Sequence, residues 1–411
     1  MSDSTTCAIV GGGPAGLVLG LLLARAGVSV TVLEKHADFL RDFRGDTVHP
    51  STQRLLDELG LHDRFAALPH SAIDRATFAV GGTDLTFIDY RRLRERYPYV
   101  ALVPQWDLLN LLAEAAQAEP TFTLRMQHEV TGLLREGSRT VGVRYRSPEG
   151  DGELLADVTV GCDGRFSTVR RESGLAVHEW AVPFDVWWFR LARAKRGNPR
   201  DLGRVADRAI RHAALPERML ITLPREDYVQ VAYLIPKGGD AQVRNRGLDA
   251  FSADVAALAP QADASQVRTL DEVRLLDVRI NRLTRWHADG LLCIGDAAHA
   301  MSPVAGMGIG VAIQDAVGAA TVLAGPLRRR QVTTKHLAAV RRRRLPAVAL
   351  AHGLQRVMHR WLVRPIICGA IGGPPPLLVT LMRRWPALSV IPAYVIGVGF
   401  RSEHAPDFAR R

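Results

Sequence analysis

Residues 7–16 read Cys-Ala-Ile-Val-Gly-Gly-Gly-Pro-Ala-Gly, an apolar strand running into a G-x-G-x-x-G turn, and a helix rich in Leu and Ala follows. Few short patterns restrict a fold as tightly. Gly11 lets the chain turn, Gly13 lets the backbone approach a pyrophosphate, and Gly16 lets the helix pack close to the strand. The helix start, with Pro14 and Ala15, then offers free N–H groups and a partial positive charge. A second strand, 29–33, ends in Glu34 and Lys35, about 20 residues past the glycines, where an acid can accept hydrogen bonds from a ribose. Strand, turn, helix, strand and acid in this order predict a dinucleotide site. They leave open whether the dinucleotide is NAD or FAD.

A chain of 411 residues has room for more than one core. The formal charge of +11 is almost all arginine, since lysine occurs only at positions 35, 195, 237 and 335. The arginine clusters at 91–96, 328–330 and 341–344 form no basic stripe with interleaved aromatics, so they read as solvated faces and no nucleic-acid partner is expected. Cys7, Cys162, Cys293 and Cys368 have neither disulfide-framework nor metal-ligand spacing. The start MSDSTTC enters the first strand directly, without the pattern of a signal peptide, and a cytoplasmic location is the expectation. Residues 365–382 carry only Arg-free, acid-free sequence, but Gly369, Gly372, Gly373 and Pro374-Pro375-Pro376 would break a spanning helix. A helix pair with a proline turn, packed on the body, is expected there. Its apolar faces, with Trp361, Trp385 and residues 388–400, suit peripheral membrane contact or a greasy substrate.

Helical spacing marks residues 50–59 and 105–118. Alternation marks strands at 122–130 and 140–146, and a hairpin of 218–223 with 228–235. Strand-rich stretches near 74–90 and 178–240 interrupt the nucleotide fold, which suggests a second domain built from two insertions. The expected division is 1–73, 101–177 and 275–325 for the dinucleotide-binding domain, 74–100 and 178–274 for a substrate-binding sheet, and 326–411 for a helical C-terminal region.

Two further motifs qualify the first. Residues 160–170 form a strand, then Asp163-Gly164, then a helix with Ser167 as its N-cap, a pattern that a capped helix alone would explain. Residues 294–299 form another strand that ends in an acid, Gly295-Asp296. The helix from about Gly308 points its N–H groups at whatever lies beside it, as the negative N1–C2 edge of a reduced flavin requires. Pro303 and the glycines 306, 308 and 310 let backbone lie close to a flat ring. His299 reads as a positioned structural or cofactor-shell histidine in preference to a catalytic base.

Together the three segments resemble the flavoprotein aromatic hydroxylases with the para-hydroxybenzoate hydroxylase fold, over nearly the whole chain to about residue 325. The resemblance implies an α/β fold: a Rossmann-like FAD-binding domain of the ββαβ, glutathione-reductase-like type, interleaved with a mixed β-sheet substrate domain, plus a helical C-terminal segment. It implies that Gly11, Gly13, Pro14, Ala15, Gly16, Glu34 and Lys35 hold the adenosine diphosphate of FAD. Asp163-Gly164 would serve both FAD and NAD(P)H, Gly295-Asp296 the ribitol, and Pro303, Gly306, Met307, Gly308 and Ile309 the isoalloxazine. Arg44 and Gln105 match further cofactor contacts. The chain departs from the family at Gly310, where Asn is common.

The activity so implied is FAD reduction by transiently bound NADH or NADPH, oxygen addition at flavin C4a, and transfer of one oxygen atom to an apolar aromatic substrate of the phenol, quinolone, quinol or aromatic polyketide type in secondary metabolism. The flavin carries the chemistry and no side-chain catalyst is required. The alternative is a flavin-dependent oxidase or reductase without oxygen insertion. A halogenase is disfavoured because W-x-W-x-I-P is absent, and a flavin-binding protein without turnover is the non-enzyme reading, motivated by Gly310. Substrate contacts are expected from the inserted sheet. In the run 184–190 Trp187 and Phe189 share one face and Trp188 and Arg190 the other. Trp187, Phe189 and Tyr233 are the candidates, although alternation does not say which face meets the pocket.

Overall fold

The computed structural model describes residues 3–40, 47–192, 208–260, 262–263 and 266–411. The first strand, Asp3–Val10, lies inside an eight-stranded sheet. Val30–Leu33 and then Phe122–Arg125 run parallel to it on one side, Gly150–Gly161 and then Leu291–Cys293 on the other. Strands covered on both faces carry continuous apolar runs, and Cys7, Ala8 and Ile9 are fully buried. The helix Pro14–Arg25 is buried from Ala15 through Ala24, wedged between this sheet and the helices Gln105–Gln117 and Gly308–Arg328. An antiparallel meander, Glu129–Glu136 and Arg139–Ser147, extends Gly150–Gly161.

The second sheet has seven strands in the order Arg274–Leu276, Phe184–Ala192, Tyr228–Pro236, Arg218–Pro224, Ala209–Leu215, Arg75–Val80, Thr83–Asp89. It is mixed, because Ala209–Leu215 runs parallel to Arg75–Val80 while the other pairs are antiparallel. Trp187, Phe189, Val231, Tyr233 and Leu220 point to one side, where Phe251, Val255 and Leu258 of the helix Gly247–Leu258 close a separate apolar core. Phe184, Val186, Trp188, Ala232, Leu234, Met219 and Ile221 point to the other. Period-two alternation fixes this division.

The long helix Gly308–Arg328 crosses the core, and Thr334–Met358 packs on it. The latter continues through one π-helical turn, His359–Val363, into Arg364–Ile367. Pro376–Arg384 and Val390–Gly397 follow. The expected helix pair is therefore a chain of short helices, with Pro376 at the first position of one of them, where its missing N–H costs no hydrogen bond. The strand expected over 122–130 is two strands, Phe122–Arg125 and Glu129–Glu136. The first pairs with Val30–Leu33 and the second with Arg139–Ser147, and Gln127 turns between them at φ 57°.

Leu22, fully buried in the first helix, anchors this packing. Leu22→Ala should lower the unfolding free energy by about 2–5 kcal/mol, read from the denaturant midpoint at unchanged m-value.

Candidate functional site

A chamber of about 740 Å³ lies between the two sheets, inside the roughly 300–1,000 Å³ usual for small-molecule sites. One end is built by the glycine turn. Gly11 has φ +103°, and a Cβ there would stand 2.6 Å from the Cys162 carbonyl oxygen. A Cβ at Gly16 would stand 2.0 Å from the Gly11 oxygen, so Gly16 works beneath the surface as a packing residue. Nothing lies within 4 Å of the corresponding point at Gly13. The first intrahelical bond runs from Leu17 N–H to the Gly13 carbonyl (3.0 Å), which leaves the amides of Ala15 and Gly16 without a helical acceptor. Gly11, Gly13, Pro14, Ala15, Glu34 and Lys35 all line the chamber. The Glu34 carboxylate accepts from Gly12 N–H (2.9 Å) and His36 N–H (3.1 Å) and lies 2.6 Å from His36 Nδ1.

Gly295-Asp296 reaches the wall from a third direction. The Gly295 N–H donates to Asp315 Oδ2 (3.2 Å), His299 Nε2 lies 2.5 Å from the same oxygen, and Arg344 Nε donates to Oδ1 (3.0 Å). Asp315 is fully buried. Burial alone would raise its carboxyl, but the charges and hydrogen bonds of His299 and Arg344 outweigh it and hold the group below the usual carboxylate range. His299 is itself buried and lies off the chamber wall. Asp296 does line the chamber, and its carboxylate has no hydrogen-bond or ion-pair partner among the described residues. Asp163 also lines it, with Gly164. Its oxygens accept from Ser167 Oγ (2.5 Å) and Val169 N–H (3.0 Å), while Ser167 Oγ accepts from Arg170 N–H (2.9 Å). The capped-helix reading of this motif therefore holds alongside its place on the wall.

Residues 302–306, 308 and 309 line the chamber, and hydrogen bonds hold this segment at two points. Gln355 Oε1 accepts from Ser302 N–H (3.1 Å), and Gln355 Nε2 donates to the Ser302 and Val304 carbonyls (2.9 and 3.1 Å). Opposite, the Gly306 carbonyl accepts from Thr47 Oγ1 (3.0 Å) and His49 Nε2 (3.1 Å). Burial, partly offset by that bond to Gly306, pushes His49 down to about 4, so the ring is neutral. The long helix then starts with no side-chain cap and no acid in its first turn, and its first bond joins Val311 N–H to the Met307 carbonyl (3.0 Å). The amides of Gly308, Ile309 and Gly310 are thus left for a ligand. Pro303, Gly306, Gly308 and Ile309 line the chamber, whereas Met307 is buried behind them. At Gly310 a Cβ would meet only Thr52 Oγ1 within 4 Å, at 3.7 Å, and that buried hydroxyl has no hydrogen-bond partner among the described residues. Gln105, at the head of its helix, completes the wall. Arg44 lies outside the described residues.

The far end is apolar. Hydrogen-bond register places Phe78, His212, Ile221, Ala232 and Trp188 side by side across five strands, and all five line the chamber. Trp187, Phe189 and Tyr233, the expected substrate contacts, are placed on the opposite face. Their polar tips are satisfied there: Trp187 Nε1 donates to Asp240 (2.7 Å) and Tyr233 Oη to Asp254 (2.9 Å). The helix Gly247–Leu258 covers that face, so the alternate residues, Val186, Trp188, Ala232 and Leu234, meet the chamber instead.

Asp315→Asn leaves the buried Arg344 only the longer contact to Glu403 (3.5 Å) as an acidic partner and should cost about 3–5 kcal/mol at neutral pH. The native carboxyl is depressed relative to the unfolded one, so its contribution is complete above the ordinary carboxylate range and fades as pH falls through the native value. Urea midpoints of both proteins, compared across pH, should converge toward the acid end.

The FAD binding domain family matches residues 4–352. A 6-methylpretetramide 4-monooxygenase from Streptomyces rimosus is 34% identical over 363 residues, 87% of this chain and 84% of that protein. A para-nitrophenol 4-monooxygenase from Pseudomonas sp. is 26% identical, over 75% of each chain. Among solved structures, an anhydrotetracycline hydroxylase from Streptomyces rimosus superposes with a TM-score of 0.74 at 23% identity, covering 96% of this chain and 76% of that one. A probable FAD-dependent monooxygenase from Pseudomonas aeruginosa gives 0.74 at 21%, covering 90% and 99%.

Proposed function

This chain belongs to the family of FAD-dependent aromatic monooxygenases, and on that premise we propose that its substrate is a large, hydroxyl-bearing aromatic ring system of the polyketide type. The enzyme uses FAD, NADH or NADPH as reductant, and O2. The relatives favour oxygen insertion over the oxidase or reductase alternative. One observation carries the substrate reading: glycine turns and an apolar, aromatic-rich sheet face line one continuous chamber. The 6-methylpretetramide specificity of the relative at 34% identity points to the same ring class.

The residues on the wall fit the cofactor. The open space at Gly13 and Gly308, the uncapped amides of two helix starts and the unpartnered Asp296 carboxylate together suit pyrophosphate, ring edge and ribitol hydroxyls. In this reading the first glycine turn holds the pyrophosphate and Glu34 with Lys35 the adenosine side. Gln105 and Asp163-Gly164 would line its path, Asp296 would accept from the ribitol, and the Gly308–Gly310 amides would donate to the ring. The eight-stranded sheet would then be the cofactor domain and the seven-stranded sheet the substrate domain. Bound there, FAD supplies reduction by NAD(P)H and activation of O2 for transfer of one oxygen atom. The protein's own work is positional: Thr47, His49 and Gln355 fix the 302–306 backbone, and Phe78, Trp188, Met219 and Leu234 exclude water from the reacting ring.

We further propose that the enzyme is cytoplasmic and makes peripheral contact with anionic lipid through its C-terminal helices. No Asp or Glu occurs between Asp315 and Glu403, while Arg recurs. Leu377, Leu381, Trp385, Ile391 and Tyr394 are exposed beside Arg383 and Arg384. Co-flotation with phosphatidylglycerol vesicles but not with phosphatidylcholine vesicles is expected, and Leu377→Ser/Trp385→Ser should abolish it.

NAD(P)H oxidation stimulated by polycyclic phenols, with a product heavier by one oxygen atom, tests the main reading. A product changed only by two hydrogens would refute it. Asp296→Ala should purify with little FAD. Trp188→Ala should keep FAD and alter the substrate response, whereas Trp187→Ala should lower stability through the core it fills.

A further inference from the structure

We propose that His212 selects and orients the substrate by accepting a hydrogen bond from its ring hydroxyl at Nε2. The inference rests on the aromatic-substrate reading and deepens it. His212 stands in the row Phe78, His212, Ile221, Ala232, Trp188, where its four neighbours offer carbon surface and one indole. Within that row it is the one titratable side chain. It is partly open rather than sealed, and it borders the chamber.

The tautomer follows from a single contact. His212 Nδ1 lies 3.1 Å from the Thr77 carbonyl oxygen, which can only accept. Nδ1 therefore carries the proton, and Nε2 carries the lone pair. Among the described residues no hydrogen bond reaches Nε2, and it is not among the sealed, partnerless atoms of the interior. Burial pushes the imidazole down to about 4, against the smaller effect of the Thr77 bond, so the ring stays neutral and Nε2 stays an acceptor under physiological conditions. Phe78, stacked with centroids 6.0 Å apart, and Phe87, edge-on at 5.1 Å, hold the ring plane.

The other polar residues that this sheet brings to the chamber, Arg225 and Gln230, bond each other. Arg225 Nη2 and Nε donate to Gln230 Oε1 at 2.7 and 3.2 Å, and Gln230 stands two residues along its strand from Ala232 of the row. An apolar ring entering the chamber thus finds at His212 an acceptor with nothing else to bind. A phenolic O–H satisfies it, and an ether or a bare C–H leaves it desolvated and unpaired, which is the stronger source of discrimination. Donating to a neutral nitrogen also enriches the ring in electron density ortho and para to the hydroxyl, the positions at which an electrophilic oxygen adds.

The test uses intact holoenzyme and a matched pair of probes, 2-naphthol and 2-methoxynaphthalene, titrated against the absorbance of the bound flavin. Wild type should bind the naphthol about five- to tenfold more tightly. In His212→Phe that preference should fall to near unity, with FAD content and methoxynaphthalene binding preserved. His212→Gln, which keeps an acceptor, should restore part of it, and His212→Leu provides a second apolar variant if the larger ring disturbs folding. An undiminished naphthol preference in either apolar variant overturns the role of His212 while leaving the aromatic-substrate reading intact. Failure of wild type to bind either probe overturns both.

Discussion

A single buried carboxylate keeps the parts of the site in register. Asp315 sits on the long helix, accepts the Gly295 N–H, meets His299 and takes the Arg344 guanidinium from the next helix. Arg344 in turn bonds the Arg401 carbonyl (3.3 Å) and Glu403 (3.5 Å), near the C-terminus. Four segments of the chain are thus tied at one point in a low-dielectric interior. There an unpaired charge is costly, so loss of one partner is felt by the others. Gly295 is pressed between Ala15 of the first helix and Ala312 of the long helix, so the tie also sets the spacing of the two uncapped helix starts.

That spacing gives the chamber its two characters. At one end backbone amides and carboxylates face open space; at the other a sheet face offers aromatic and aliphatic carbon with one imidazole and the paired Arg225 and Gln230. The strap 302–306 lines the same chamber, and its backbone is pinned by Gln355 at Ser302 and by Thr47 and His49 at Gly306. An enzyme whose cofactor carries the chemistry needs this from its protein: fixed donors, a dry wall and a held substrate.

Much of this was legible in the sequence because it is local. The glycine turn, the strand ending in Glu34, Ser167 as a cap and the helix from Gly308 each depend on residues within a few positions of one another. The two faces of Phe184–Ala192 were legible as well. Which face meets the chamber was not, because it depends on the helix Gly247–Leu258 covering Trp187, a contact between segments with no shared pattern. Thr47, His49, Gln355 and Arg344 were likewise silent. Each looks like an ordinary polar residue at the head or middle of a helix or strand, and its role appears only when a distant carbonyl or carboxylate is brought to it. Gly310 was legible as a departure, and the structure gives it a setting: open space facing the partnerless Thr52 hydroxyl.

The central claim is that cofactor and substrate share this one chamber, meeting at the strap. A crystal structure of the FAD-bound enzyme soaked with a polycyclic phenol tests it most directly. The account predicts flavin density against residues 303–310 and the phenol between that ring and the Phe78–Trp188 face. Phenol density on the Trp187 face, or flavin remote from the strap, would contradict it.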